Sequence, residues 1–131
     1  MSYVVRPRPG IGEGLFAARR FHKGEFVIEY TGKRIPSSYA DTLPSRYLFE
    51  IDHTWTVDAS EAHNTGRFVN HSCEPNCEAR IARIESGRVL FYATRIIEVG
   101  EEITIDYGEE YFDEFIRPTG CQCTRCLHGW C

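Results

Sequence analysis

Residues 67–77 read RFVNHSCEPNC, and the rest of the chain can be interpreted outward from this stretch. Asn and Pro end strands and begin turns, so the stretch predicts an ordered loop that follows the apolar pair Phe68 and Val69. Loops that concentrate His, Asn and Cys often carry chemistry, because these side chains bind metals, donate hydrogen bonds or act as nucleophiles.

Two kinds of site compete for this loop. In the first, Cys73 is the nucleophile of a hydrolase and His71 is its base. In the second, Asn70 and His71 offer hydrogen bonds to a ligand while Cys73 serves a metal. Residues two apart in an extended segment are held too loosely for a nucleophile–base hydrogen bond, and such pairs usually come from distant parts of a chain. The ligand-binding loop is therefore the better interpretation.

Length, composition and charge predict one ordered domain. A chain of 131 residues can bury about two-thirds of its unfolded surface. Apolar residues make up 42% and aromatic residues 13%, which argues against disorder. The net charge of −4 does not suit a nucleic-acid binder, since phosphate affinity comes from clustered Lys and Arg. An acidic surface does suit a basic protein or peptide partner.

The sequence predicts an intracellular, soluble protein. Its start, MSYVVRPRPG, lacks the apolar segment of a signal peptide, and no apolar run approaches the roughly 20 residues of a membrane span. In a reducing compartment, six cysteines indicate metal binding or free thiols more than a disulfide framework.

The apolar pattern predicts many short strands and almost no helix. Strands are predicted at residues 2–6, 26–30, 47–51, 54–58, 78–84, 88–94 and 102–107. One helical turn is predicted in residues 36–43, with Ser37 or Ser38 as its N-cap. The glycines of GIGEG, residues 10–14, lack the GxGxxG spacing of a dinucleotide site, and a hairpin turn is the plainer interpretation.

Cysteines near the C-terminus form a C-x-C-x2-C pattern in a segment with no strand or helix signal: Cys121, Cys123 and Cys126. Such a segment needs a staple to stay ordered. A structural zinc ion takes four ligands, and this pattern supplies three. The fourth is left open among Cys73 or Cys77 of the central loop and His128 or Cys131 nearby. The alternative is a set of solvent-exposed thiols.

Several stretches together resemble the SET-domain protein lysine methyltransferases. They are GEGLFA (12–17), EYTG (29–32), RFVNHSCEPN (67–76), GEEITIDYG (100–108) and the C-x-C-x2-C tail. NHSCEPN followed by GEEITIDYG is highly specific, whereas the glycine stretch alone is weak. The resemblance implies a mainly β, β-clip-like fold of several short curved sheets with a C-terminal pseudoknot and very little helix. It also implies a catalytic SET domain at residues 1–112 and a post-SET zinc-binding tail at 113–131.

The resemblance assigns roles by position. It implies that Tyr107 is the catalytic tyrosine, held against the Asn-His turn, and that Tyr30 lines the channel for the substrate lysine. It implies a surface for S-adenosylmethionine formed by Gly12, Glu13, Gly14, Leu15, Arg67, Asn70, His71, Tyr107 and Phe112. The implied ligands of a structural zinc ion are Cys73, Cys121, Cys123 and Cys126, with Cys131 or His128 as substitutes.

The implied activity is S-adenosylmethionine-dependent protein lysine methylation. The implied substrate is a histone tail or another basic protein. We expect a monomer or a homodimer, with no direct contact to nucleic acid or membrane. Ile105, where relatives often carry Phe or Tyr, and the small Ala79 predict room for di- or trimethylation. The predicted location is the cytoplasm, or the nucleus and chromatin (the host's nucleus for a viral or bacterial protein).

Two other functions are weighed against methyl transfer. An inactive SET-like module that binds a peptide is disfavoured by the presence of Asn70, His71 and Tyr107 together. A zinc-stabilised nucleic-acid-binding β domain is disfavoured by the acidic charge and by the lack of a basic run beyond Arg19-Arg20.

Overall fold

The computed structural model describes residues 2–82 and 87–108, together with Ile116, Gly120, Cys121 and Cys123. Short strands dominate this part of the chain, and the predicted mainly β class is confirmed. The elements in chain order are β1 (Tyr3–Arg8), β2 (Gly12–Ala17), β3 (Phe26–Tyr30), β4 (Lys33–Pro36), α1 (Ser37–Ala40), β5 (Leu48–Glu50), β6 (Trp55–Asp58), a 3-10 helix (Thr65–Phe68), β7 (Asn70–His71), β8 (Cys77–Ala82), β9 (Arg88–Ala93) and β10 (Thr104–Ile105).

The described residues divide into two compact units. The first takes those of Met1–Glu25, Phe68–Glu78 and Ala93–Cys131, and the second takes those of Phe26–Arg67 and Ala79–Tyr92. The boundary expected between a catalytic domain and a tail, at residues 112 and 113, lies outside the described residues and stays a prediction.

The first unit contains an antiparallel hairpin and a short parallel pair. Strands β1 and β2 pair in register from Tyr3 opposite Ala17 to Arg8 opposite Gly12. Gly10 makes the turn with φ of 83°, a conformation that glycine adopts without a steric penalty. The hairpin interpretation of the glycine stretch is therefore confirmed. Strand β10 pairs in parallel with β7, and the predicted pseudoknot stays a prediction.

The second unit contains two three-stranded sheets, with strand orders β3-β9-β8 and β4-β6-β5. Phe91, Val57 and Val89 are fully buried in its core. Each of these sheets combines two strands that are consecutive in the chain with one from further away: β5 pairs with the following strand β6, and β4 reaches β6 across α1 and β5.

Helix α1 confirms the predicted helical turn but not the predicted cap. Its N-cap is Pro36, and no side chain caps it. The hydroxyl of Ser37 instead donates to the carbonyl of Asp52 and is 2.9 Å from the hydroxyl of Thr56. The N-cap prediction was wrong because a tertiary partner competes for that hydroxyl. Among the described residues, no helix has the length and hydrophobicity needed to cross a bilayer.

Gly32, in the second unit, allows a close backbone contact that provides a test of this packing. A Cβ at this position would overlap the backbone of Asp58, whose carbonyl carbon would be 2.6 Å away. We expect Gly32→Ala to lower the free energy of unfolding by about 3 kcal/mol in urea denaturation, because two backbones would have to separate. Gly24→Ala is the matched control. Its Cβ would meet open space, so only the φ of +85° opposes it, at a cost of about 1 kcal/mol. Equal losses would contradict the steric argument.

Candidate active site

The segment at residues 100–105 joins the glycine-containing strand β2 to the short strand β7. The amide of Ile103 donates to the carbonyl of Leu15 at 2.7 Å, and the amide of Ala17 donates to the carbonyl of Glu101 at 2.8 Å. Immediately afterwards, β10 pairs in parallel with β7. Three motifs that are far apart in the chain therefore meet within the first unit.

The central stretch is less loop-like than its composition predicts. Phe68 ends a 3-10 helix, and Asn70 and His71 form strand β7. The amide of Ser72 continues the pairing by donating to the carbonyl of Ile105 at 2.9 Å. The local pattern missed this strand because its hydrogen-bond partners lie more than thirty residues away in sequence, as the pairing of Thr104 with Asn70 shows.

A buried asparagine holds the same segment from the other side. Asn76 is 2% exposed, and its Nδ2 donates to the carbonyl of Glu102 at 2.7 Å. Its Oδ1 accepts from the amide of Thr104 at 2.9 Å. The side-chain amide of Asn76 thus bonds to this backbone segment as a neighbouring strand would. These bonds satisfy backbone groups whose burial without a partner would cost free energy. Sequence reasoning assigned no role to Asn76, and its place within the NHSCEPN motif was the only available signal.

Tyr107 is fixed at both ends against the central stretch. Its hydroxyl donates to the carbonyl of Val69 at 2.5 Å, and its amide donates to Nδ1 of His71 at 3.1 Å. Val69 is 1% exposed, so the phenol oxygen is held at the carbonyl of a buried residue, while Tyr107 as a whole is half-buried. The expected proximity of Tyr107 to the Asn-His turn is confirmed, and its catalytic role stays a prediction.

The imidazole of His71 has both nitrogens engaged. Because Nδ1 accepts the amide hydrogen of Tyr107, a neutral ring carries its proton on Nε2, which lies 3.4 Å from the sulfur of Cys73. The expectation that residues two apart are held too loosely for such a hydrogen bond was therefore wrong, although a protonated Nε2 is a donor to the sulfur and not a base. The side chain is 5% exposed. Burial lowers the pKa of His71, and the nearby carboxylate of Asp106 opposes this in part. Although Nδ1 lies 3.6 Å from that carboxylate, the two form no ion pair while Nδ1 accepts a hydrogen bond.

Thiols of the central stretch and the tail meet beside this imidazole. The ligand atoms of His71, Cys73 and Cys121 lie within 4.8 Å of one another. The thiol of Cys123, which is 4% exposed, lies near enough to that of Cys73 to raise its pKa, but Cys123 is not a member of this group of three. Burial, with the neighbouring thiols, raises the pKa of Cys73 to about 12. Zinc holds sulfur ligands at about 2.3 Å and keeps thiols deprotonated, so this crowded set fits a zinc site.

The structure distinguishes the two cysteines of the central stretch that could complete the metal site. Cys77 is 2% exposed and is not part of the group of metal-ligating side chains. Burial raises the pKa of the Cys77 thiol to about 12, with Arg95 opposing the shift, as expected for a core cysteine. Cys73 is therefore the cysteine of the central stretch that can join the tail. The predicted ligand Cys126 lies outside the described residues, as do the substitutes His128 and Cys131.

Asn70 connects the glycine strand to an acidic residue that the sequence analysis overlooked. Its Nδ2 donates to the carbonyl of Glu13 at 2.9 Å and to Oε2 of Glu102 at 2.8 Å. The other carboxylate oxygen of Glu102 accepts from Nε of Arg8 at 2.9 Å. The sequence signals for this network were weak: Glu102 lies within GEEITIDYG, and Arg8 lies in the proline-rich stretch RPRPG, where β1 ends.

In the glycine strand β2, the backbone of Gly12 is open to a ligand, whereas that of Gly14 is packed closely against the side chain of Glu102. A Cβ on Gly12 would meet nothing within 4 Å, so a ligand can approach the backbone there. Gly14 is buried, and a Cβ on it would lie 2.6 Å from Oε2 of Glu102. Leu15 is fully buried, and Glu13 is exposed.

Tyr30 and Arg67 belong to the second unit. Tyr30 is 2% exposed, and its ring centroid lies 5.5 Å from that of Phe49. The guanidinium of Arg67 lies 3.8 Å from the ring centroid of Tyr47 and donates to the carbonyl of Ser60 at 2.6 Å. Their roles in the channel and at the cofactor stay predictions, and the predicted cofactor residue Phe112 lies outside the described residues.

A cavity of about 410 Å³ lies in the first unit, within the size range of small-molecule sites. Charged groups from Arg8, Glu102 and Arg95 line it, together with His71 and Cys123. Asn70, Tyr107 and the glycine strand do not line it. The cavity therefore borders the predicted cofactor surface without coinciding with it.

Comparison with protein families decides the identity of this constellation. A family model described as the SET domain matches residues 12–108. The chain belongs to the SET domain family. The matched region includes the glycine strand, the Asn-His strand and the segment that ends at Tyr107, which are the elements that meet in the first unit.

Curated relatives of this SET domain are named as histone-lysine methyltransferases. Histone-lysine N-methyltransferase trithorax of Drosophila virilis is 40% identical over 124 residues, covering 88% of this chain and 3% of the relative. Histone-lysine N-methyltransferase, H3 lysine-4 specific, of Schizosaccharomyces pombe is 45% identical over 120 residues, covering 84% and 13%. Histone-lysine N-methyltransferase SETD1B of Homo sapiens is 40% identical over 104 residues, covering 72% and 5%. The chain thus spans a small part of each relative.

Proposed function

We propose that this SET domain transfers methyl groups from S-adenosylmethionine to a lysine side chain of a histone tail or another basic protein. The observation that carries the proposal is the position of Tyr107, whose two hydrogen bonds hold it against the Asn-His strand. The names of the relatives support the reaction and a histone substrate. The net charge of −4 favours a basic partner, and a histone substrate would bring the protein to chromatin.

The residues present fit the methyl donor. Gly12 leaves the backbone of β2 open to a ligand, and the carbonyl of Glu13 and the amide of Asn70 lie at the same place. When bound, S-adenosylmethionine supplies a methyl group on a positively charged sulfur. The tasks left to the protein are to align the amine with that methyl group and to exclude water.

The phenol of Tyr107 is suited to the alignment. Its proton is committed to the carbonyl of Val69, so the remaining lone pairs of the oxygen can accept weak C–H···O contacts from a methyl group. The substrate lysine must also lose its proton, since its reference pKa is about 10.4. An apolar channel lowers that pKa by desolvating the ammonium form.

We further propose that Cys73, Cys121, Cys123 and Cys126 hold a structural zinc ion. Cys73 and Cys121 support this, because their sulfur atoms lie within 4.8 Å of each other, and the thiol of Cys123 lies near that of Cys73. His71 then acts as an outer partner whose Nε2 hydrogen points at the sulfur of Cys73, a common way to orient a metal ligand. In the alternative, Nε2 of His71 is itself the fourth ligand.

Ile105 supports a product with two or three methyl groups. It is 1% exposed on β10, opposite His71, and its aliphatic side chain has no hydroxyl to hold an amine or a water molecule. We expect Ile105→Tyr to reduce di- and trimethyl products by about 10-fold relative to monomethyl product, the effect of about 1.4 kcal/mol of added steric and hydrogen-bonding restraint. Mass spectrometry of a methylated peptide measures the distribution.

Ile105→Val is the control for this change, because it keeps the site aliphatic and should leave the product distribution unaltered. Wild-type enzyme that stops at monomethyl-lysine, at long times and high enzyme concentration, would contradict the proposal.

The decisive experiment incubates the protein with labelled S-adenosylmethionine, a panel of histones and a cell lysate. The Tyr107→Phe variant runs beside the wild type, and mass spectrometry maps the labelled residue. Transfer to lysine by the wild type alone is the expected result. Binding of histone peptides with no transfer would favour the second candidate, a peptide-binding module, and would overturn the enzymatic proposal.

A further inference from the structure

We infer that Glu102, itself held by Arg8, is a positioning residue that orients the side-chain amide of Asn70 for S-adenosylmethionine. The inference rests on the proposed function, because it concerns the same cofactor surface. It goes beyond that function by giving a task to two charged residues outside the predicted site. Four contacts within the first unit carry it: Asn70 to Glu13, Asn70 to Glu102, Arg8 to Glu102, and Asn76 to Glu102.

The partners of Asn70 determine the orientation of its side-chain amide. Its two nearest partners, the carbonyl of Glu13 at 2.9 Å and Oε2 of Glu102 at 2.8 Å, are both acceptors. The NH2 group must therefore face them, and its two hydrogens are used there. Oδ1 is the polar atom that remains, so Asn70 presents an acceptor to a ligand. An acceptor suits the amino group of S-adenosylmethionine, which is a cation.

Glu102 is held through both its side chain and its backbone. One carboxylate oxygen accepts from Arg8 at 2.9 Å, and the side chains of Arg8 and Glu102 are 20% and 16% exposed. Because this charge-assisted hydrogen bond is partly shielded from solvent, it is stronger than the same bond would be if it were fully exposed to water. Asn76 fixes the backbone of Glu102 by donating to its carbonyl at 2.7 Å. The carboxylate is thus a two-sided bridge between a guanidinium and an amide.

The carboxylate of Glu102 occupies space that is left by the missing side chain of Gly14. A Cβ on Gly14 would lie 2.6 Å from Oε2 of Glu102 and 3.2 Å from Nδ2 of Asn70. Glycine at this position is therefore needed for the carboxylate to reach the amide. This gives Gly14 a purpose besides contact with a cofactor, because a side chain there would collide with the carboxylate of Glu102.

Replacing the carboxylate tests the idea. Glu102→Gln has a similar shape but a single acceptor oxygen, so it cannot satisfy Arg8 and Asn70 with separate oxygens, and the amide of Asn70 is freed to rotate. We expect the Kd of S-adenosylmethionine, measured by calorimetry without a methyl acceptor, to rise about 10-fold, which is about 1.4 kcal/mol. The kcat at saturating S-adenosylmethionine should change by less than about threefold, since binding and not the reacting centre is affected.

A double-mutant cycle separates positioning from a general structural effect. If Glu102 acts through Asn70, adding Glu102→Gln to Asn70→Ala should change the Kd by less than about twofold. Arg8→Gln is a second, milder variant, expected to raise the Kd about threefold and to have no effect in the Asn70→Ala background. The matched control is Glu101→Gln, which breaks the neighbouring ion pair with Arg95 (3.0 Å) and should leave the Kd within about twofold.

Each outcome has one meaning. If Glu102→Gln and Arg8→Gln raise the Kd of S-adenosylmethionine when Asn70 is present but not in the Asn70→Ala variant, the inference is supported. Additive losses, or equal losses for Glu102→Gln and Glu101→Gln, overturn it in favour of a structural role. A wild-type protein that does not bind S-adenosylmethionine refutes the proposed function itself, whereas a wild type that binds and methylates normally while Glu102→Gln binds equally well refutes only the positioning role.

Discussion

Tyr107→Phe is expected to lower kcat by about 100-fold while leaving the Kd of S-adenosylmethionine nearly unchanged. The phenol oxygen is the atom lost, and with it go the C–H···O contacts and the alignment that they provide. The ring remains, and so does the backbone hydrogen bond to Nδ1 of His71. Single-turnover methylation of a histone peptide measures the chemical step directly.

The same substitution has a cost in stability that must be measured separately. It removes the hydrogen donor from the buried carbonyl of Val69, a loss of about 1–3 kcal/mol. Thermal unfolding of each variant shows whether the protein remains folded at the assay temperature. Tyr92→Phe is the matched control. It keeps the ring contact with Phe26 at 5.7 Å and should keep wild-type activity. A Tyr107→Phe enzyme with undiminished kcat would remove Tyr107 from the reaction.

Cys73→Ser is expected to abolish stable zinc binding and, with it, most methyl transfer. The thiol of Cys73 lies between the imidazole of His71 and the thiols of the tail. Loss of a direct ligand should weaken zinc binding by more than the roughly 10–100-fold that loss of an outer partner costs. Elemental analysis should show about one zinc ion per wild-type chain and little in the variant.

Two comparisons make this result interpretable. Cys77→Ala removes a buried thiol outside the metal-ligating group, so it should retain full zinc content. Treatment of the wild type with a chelator should reproduce the loss of activity, and zinc should restore it. Full zinc content in Cys73→Ser would show that the ligands lie elsewhere, with His71 as the first candidate.

Local patterns predicted those parts of the structure that depend on neighbouring residues. The turn at Gly10 follows from the glycine stretch, and strands β5 and β6 follow from the short apolar runs predicted at residues 47–51 and 54–58. Sequence motifs also indicated that Tyr107 would lie near the Asn-His turn, although 36 positions separate it from His71. That inference came from resemblance to a family, because no periodicity relates residues so far apart.

The sequence by itself determined the mainly β class, the chemical types available to the site and the family to which the chain belongs. Only the tertiary structure decided which partner each polar group takes. The hydroxyl of Ser37 donates to the carbonyl of Asp52 instead of capping its helix. The side-chain amide of Asn76 bonds to the backbone of Glu102 in place of a neighbouring strand. Glu102 became part of the site only because Arg8 and Asn70 converge on its carboxylate. A hydrogen bond depends on distance and direction in space, and neither is contained in residue order.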